Sequence, residues 1–138
     1  MSRTGYLIRE STPADDAALR ALLRAMPMRG DLTVTFEREP AFFAGASILG
    51  AFHQTLVACG EKDALVGLGT RSVSDAFVNG RPAPIGYLGD LRILPGHQRG
   101  ILLARAYRQL RQLHNDGRTR LYTTVISGAN ASASAFNE

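Results

Sequence analysis

The chain has 138 residues, 45% of them hydrophobic and 20% charged, which is room for one domain with a packed core and too little for two of ordinary size. That balance excludes a disordered chain, and no apolar run approaches the roughly 20 residues of a membrane-spanning helix. Its net charge is +4, and 15 of its 16 basic residues are arginine, Lys62 being the exception. Arginine's planar fork suits phosphates and carboxylates, so a phosphorylated cofactor, a nucleic acid or a membrane surface would each explain the excess, and genome composition alone would do so as well. Cys59 is the single cysteine, with no disulfide partner and no CxxC pair, and the opening residues show no charged-then-apolar leader. The expectation is a cytoplasmic protein.

In chain order, residues 6–9 read as a short strand. Thr12-Pro13-Ala14-Asp15 is a helix start: Thr12 suits the N-cap, Pro13 the first helical position, and Asp15 and Asp16 the positive end of the dipole. Leu19, Leu22, Leu23 and Met26 follow at helical spacing, Arg20 and Arg24 are left to solvent, and Pro27 and Gly30 end the helix. Between Asp31 and Gly50 two readings stand side by side, a strand over 32–36 and a short apolar helix over 42–49. Residues 54–58 and 64–68 read as strands. Asn79-Gly80 is a hairpin signal, since both residues tolerate the positive φ of a type I′ turn, and it implies antiparallel strands ending near Val78 and running over 85–94. A loop over 95–100 then feeds an amphipathic helix over 101–114, with Leu103, Ala106, Tyr107, Leu110 and Leu113 as its expected buried stripe. Asn115-Asp116-Gly117 closes that helix, residues 121–126 read as a strand, and Asn130 begins a further helix. This order implies an α+β (mixed α/β) fold rather than a doubly wound sheet.

Chemistry concentrates between Tyr87 and His114. A strand that ends in a Pro-Gly loop and runs straight into a helix gathers unpaired backbone N–H groups at the positive end of the helix dipole, where an anion is stabilised. Arg99 adds a formal charge there, Gln98 a polar side chain, and Gly100 lets a phosphate approach the backbone; a tight turn alone would also use these residues. Asp90, on the strand, is the candidate general base, and an ion pair with Arg92 two residues on is its structural alternative. Glu37 and Glu39 are further acidic candidates. His53, His97 and His114 lack metal-ligand spacing, and Cys59 suits a buried apolar site. Arg105, Arg108, Arg111, Arg118 and Arg120 cluster in or after one helix, but without an aromatic pair, a zinc-finger spacing or a basic run they make nucleic acid a weak reading.

The segment Leu91-Arg92-Ile93-Leu94-Pro95-Gly96-His97-Gln98-Arg99-Gly100 and its helix resemble motif A of the GNAT family, the Gcn5-related N-acetyltransferases. Thr12-Pro13-Ala14-Asp15 is similar to that family's opening, and Asn130-x-x-Ala133-x-x-Phe136-Asn137-Glu138 to the start of its last helix. The resemblance implies a mostly antiparallel sheet flanked by helices, with acetyl-CoA as co-substrate and no metal. It places the backbones of Leu91 and Ile93 along the pantetheine arm and Gln98, Arg99, Gly100, Ile101, Leu102 and Leu103 around the pyrophosphate. The reaction implied is direct attack by an amine of a small molecule or peptide. Anchored on Pro95 and Gln98, the motif's small positions fall on Ile101 and Leu103; anchored on Gly100, its first position becomes His97 and its last Leu102. Asn137 stands where the family has a proton-donating tyrosine. The alternative is therefore a catalytically degenerate domain of this fold serving as a scaffold or partner-binding half. Complete domains of the family continue past the last helix into further strands, so the expectation is the opening portion of a longer protein or a chain completed by a partner, a homodimer among the options.

Overall fold

Alternation along one strand sorts the core into two layers. Val57 and Cys59 point to one face of the sheet and Ala58 to the other, all of them buried. The computed structural model describes residues 5–98 and 100–125. Its strands β1 (Leu7–Glu10), β2 (Phe52–Cys59), β3 (Leu65–Val78), β4 (Arg81–Ile93) and β5 (Tyr122–Thr123) lie in chain order in one sheet. The first four pair antiparallel, while β5 joins β4 in parallel after helix α2 (Leu102–Leu113) crosses over. Helix α1 (Asp16–Ala25) puts Leu19, Leu22 and Leu23 against Val57, Cys59, Leu68 and Phe42. On the opposite face Leu102 packs with Ala58 and Val66, beside Ile8 and Ile93.

The helix start expected at Thr12 is present as a 3-10 turn, Pro13–Asp15, running into α1. Thr12 and Asp15 close a capping box there: the Asp15 carboxylate accepts the Thr12 backbone N–H at 2.7 Å, the Thr12 hydroxyl at 3.3 Å and a two-pronged contact from Arg9 at 2.7 and 2.9 Å. The guanidinium of Arg9 holds this buried carboxyl down at about 2. Asn79 and Gly80 take φ 51° and 76°, the left-handed pair that a type I′ hairpin requires.

Three expectations change. The strands read separately over 64–68 and up to Val78 are one strand, β3; Gly67 and Gly69 do not interrupt it because both lie between paired neighbours. The stretch 32–36 is not a strand: a single bridge joins Val34 to Met28, and Leu32, Val34 and Phe36 are exposed, because β-propensity without a sheet edge to pair with forms no ladder. The apolar helix over 42–49 does form, as a 3-10 segment whose Phe42 is fully buried. Tyr107, expected in the buried stripe of α2, is 55% exposed, on the wall of an open cleft that it shares with Leu110, His114, Leu121 and Tyr122. The last strand is described only as Tyr122–Thr123, and Ile126 and the helix start at Asn130 lie outside the described residues. No helix among the described residues is long and apolar enough to cross a membrane.

Candidate functional site

The carboxyl end of β4 meets the start of α2. Gly86 and Tyr87 pair with Tyr122 and Thr123, and the Thr124 hydroxyl donates to the Leu88 carbonyl at 2.9 Å. Only glycine permits this approach, because a Cβ on Gly86 would stand 2.2 Å from the Tyr122 ring. Beyond Leu88 the described pairing with β5 stops. The Leu94 N–H turns to β3, donating to the Val66 carbonyl at 2.9 Å, so alternation turns the Ile93 backbone to the opposite edge. There the Ile93 carbonyl accepts Gln98 Nε2 at 2.8 Å, and the Leu91 carbonyl accepts Arg92 Nη1 at 3.0 Å.

Pro95–His97 forms a 3-10 turn, and Ile101 enters α2 with no side chain capping its first amides. Gly100 has φ 133°, a conformation that a side chain resists. The first turn of α2 therefore presents backbone donors at the positive end of a 12-residue helix. Leu102 packs its side chain into the core, Leu103 is half-buried and Ile101 is 59% exposed. Tyr6 ties this loop to β1 through its hydroxyl, 2.9 Å from His97 Nδ1. Of the residues that the sequence points to here, Leu91, Ile93, Gln98, Gly100, Ile101, Leu102 and Leu103 come together in one strand, turn and helix start, while Arg99 lies outside the described residues.

Asp90 occupies a break in the ladder. Thr70 pairs with Gly89 and Leu68 with Arg92, leaving Gly69 opposite both Asp90 and Leu91, a β-bulge in which Asp90 takes φ 52°. Its carboxylate turns to the face of the sheet that carries α1. The ion pair expected with Arg92 is not formed: Arg92 donates its Nε to the Met26 carbonyl at the end of α1, at 2.9 Å, and Asp90 pairs with Arg38 instead. Thr70 Oγ1 lies 3.4 Å from the same carboxylate oxygen, and the Arg38 guanidinium sits 4.8 Å from the centre of the Phe42 ring. Beside them Thr55 pairs across the sheet with Thr70, and His53 with Ser72. Burial, helped by the charge of Arg38 and opposed by that of Asp90, lowers the affinity of His53 for a proton.

Among the described residues, three buried side-chain atoms have no hydrogen-bond partner: Arg38 Nη1, His53 Nε2 and Thr55 Oγ1. All three belong to this one cluster. Glu39 faces away from it and fastens the segment to α1 through Arg20, at 2.7 Å, and Arg24; Glu37 is exposed. Arg38, His53 and Thr55 were not selected by sequence reasoning. The available signal was period-two spacing, which puts His53, Thr55 and Val57 on one face of β2 with two polar members where an apolar run would be usual.

No protein-family model matches the chain, and no curated protein matches it by sequence. Solved structures do match in fold. An aminoglycoside antibiotic 6′-N-acetyltransferase from Acinetobacter baumannii superposes with a TM-score of 0.69 at 16% identity, over 96% of this chain and 87% of that one. A Trypanosoma brucei acetyltransferase gives 0.68 at 14%, over 96% and 91%. The aminoglycoside N-acetyltransferase AAC(6′)-Iy, solved in complex with CoA, gives 0.72 at 15%, over 96% and 84%. The chain has the fold of the GNAT N-acetyltransferases, a mixed sheet with flanking helices.

Proposed function

We propose that this protein is an N-acetyltransferase that moves an acetyl group from acetyl-CoA to a primary amine of a small molecule. The observation carrying the reading is the junction of β4 and α2: a strand edge at Ile93 that no described strand pairs, beside uncapped helix amides, in a fold shared with enzymes that take CoA. Those groups fit the co-substrate. Backbone amides from Gly100 to Leu103 suit a diphosphate, joined by the Gln98 N–H if it leaves its long 3.5 Å bond to the Pro95 carbonyl, and the Leu91 and Ile93 backbones suit the amide-bearing pantetheine arm once the Gln98 side chain gives up the Ile93 carbonyl. Acetyl-CoA supplies the activated acyl group. The reaction is attack of the amine nitrogen on the thioester carbonyl, forming an amide and releasing the thiol. Asp90 supplies negative charge for the incoming ammonium and, directly or through water, accepts the proton that the nitrogen loses.

A second reading, the scaffold, is favoured by one feature: Ile101, Leu102 and Leu103 stand in the first turn of α2 where a close phosphate prefers small residues. Isothermal titration with acetyl-CoA separates the two. The enzyme reading expects saturable heat at micromolar ligand and thiol release when a panel of primary amines is added; no heat at millimolar acetyl-CoA overturns it.

A further inference from the structure

The cluster around Asp90 is closed by a residue of the chain itself. Arg38 belongs to the irregular stretch between α1 and Phe42, and it reaches across to a residue 52 positions away. Its contact is incomplete: one nitrogen meets Asp90, while Nη1 is buried without a partner, as are His53 Nε2 and Thr55 Oγ1. A desolvated guanidinium that leaves a donor unused is held weakly for its burial. Asp90, by contrast, sits in the bulge at φ 52°, a left-handed conformation that aspartate tolerates, and its carboxylate meets Arg38 and Thr70. Both side chains keep a route to solvent, with 17% of the Arg38 and 14% of the Asp90 side chain exposed, so exchange at this spot needs no opening of the core.

We propose that Arg38 occupies the seat of the acceptor's ammonium group. Its guanidinium is an internal cation lying on the Asp90 carboxylate, which also accepts from the Thr70 hydroxyl, and a primary ammonium binds by displacing it. The seat is built from the Asp90 carboxylate and the Thr70 hydroxyl, with His53 and Thr55 as neutral polar neighbours able to bond a hydroxyl or a water carried in beside the ammonium. Lowered proton affinity keeps His53 uncharged near neutral pH, so it does not repel the incoming cation. Glu39, bound to Arg20 and Arg24, anchors the backbone next door, so the exchange is a swing of the Arg38 side chain rather than a movement of the segment. The apparent affinity for an amine is then reduced by the fraction of time that Arg38 fills the seat.

This inference rests on the acetyltransferase reading for the biological identity of its ligand, but its test does not use acetyl transfer. Ethylammonium, and 1-propanol as the neutral control of like size, are titrated into the wild-type protein, Arg38→Met and Arg38→Met/Asp90→Asn while the His53 ring and Thr55 methyl resonances are followed. The expected result is that ethylammonium moves both resonances in Arg38→Met at least tenfold below the concentration needed in wild type. Propanol moves neither, and the double variant responds to neither probe. Equal response of Arg38→Met and wild type overturns the proposal, as does a response to propanol matching that to ethylammonium. Should Arg38→Met not fold, the wild type alone decides through its Arg38 Nε–H resonance. Saturating ethylammonium is expected to release that resonance toward the position of free arginine, and an unmoved resonance contradicts the exchange. A protein that exchanges the cation but gives no heat with acetyl-CoA keeps the seat and loses the enzymatic reading; the reverse result loses the seat and keeps the enzyme.

Discussion

Two arginines lie on opposite faces of the same sheet, one buried and one half-buried, and they are held in opposite ways. Arg71, on β3 and 2% exposed, donates to Gln54 at 3.2 Å, the Leu113 carbonyl at 3.2 Å, the Tyr122 hydroxyl at 2.9 Å and the Asp116 carboxylate, and stacks 5.0 Å from the centre of the Phe52 ring. It pins the end of α2 and β5 to the sheet. Arg38, on the α1 face, has one ion pair, one ring contact and an unused nitrogen, in a cluster with two further unpartnered polar atoms. A buried charge with every donor engaged is a structural clasp. One left partly unengaged beside a carboxylate set in a bulge marks a place kept for something else.

The comparison breaks most visibly at Arg71. Arg71→Met strips Asp116, Tyr122 and the end of α2 of their shared partner, and it is expected to cost about 3–4 kcal/mol, the usual penalty for opening a buried pair from one side. A thermal melt should fall by roughly 10 °C or more. Next comes Asp15→Asn, which removes the negative charge and one of the two oxygens shared by Arg9 and the Thr12 N–H, at an expected cost of about 2 kcal/mol by chemical denaturation. Because the folded Asp15 carboxyl titrates at about 2 and the free one near 3.8, the unfolded chain takes up the proton first. Its contribution is complete above the free value and is lost as pH falls through about 2. Denaturation curves between pH 5 and 2 should therefore flatten in Asp15→Asn relative to wild type. Smallest is Arg38→Met, expected to change stability by about 1 kcal/mol or less, since methionine keeps the contact with Phe42 and relieves a buried unpaired donor. A loss as large as that of Arg71→Met would make Arg38 a clasp as well and erase the distinction between the two faces.

Local chemistry made much of the fold legible in advance. The Asn79-Gly80 turn, the Thr12-Pro13 helix start and the leucine spacing of α1 each depend on neighbours in sequence, and each is present. The strand, turn and helix from Leu91 to Leu103 was readable for the same reason, as was the burial of Cys59 in an apolar run. What escaped depends on distant partners. Residues 32–36 have strand chemistry and no edge to pair with. Tyr107 has the spacing of a buried residue but lines an open cleft between α2 and residues 120–122. Nothing adjacent to Asp90 fixes a bulge there, because the bulge depends on pairing with β3, and its true partner lies 52 residues away while Arg92, close in sequence, is drawn off to cap α1. Arg71 is buried by partners 42 and 51 residues away, at the end of α2 and on β5, which nothing beside it in sequence signals.

The central claim is that the start of α2 and the end of β4 hold an acetyl-CoA, and backbone amide shifts measured while the ligand is added test it residue by residue. The account predicts that the amides of Ile93, Gln98 and Gly100 to Leu103 move together and saturate, while those of the 79–80 hairpin turn stay still. Shifts scattered over the surface, or none at millimolar acetyl-CoA, would contradict it.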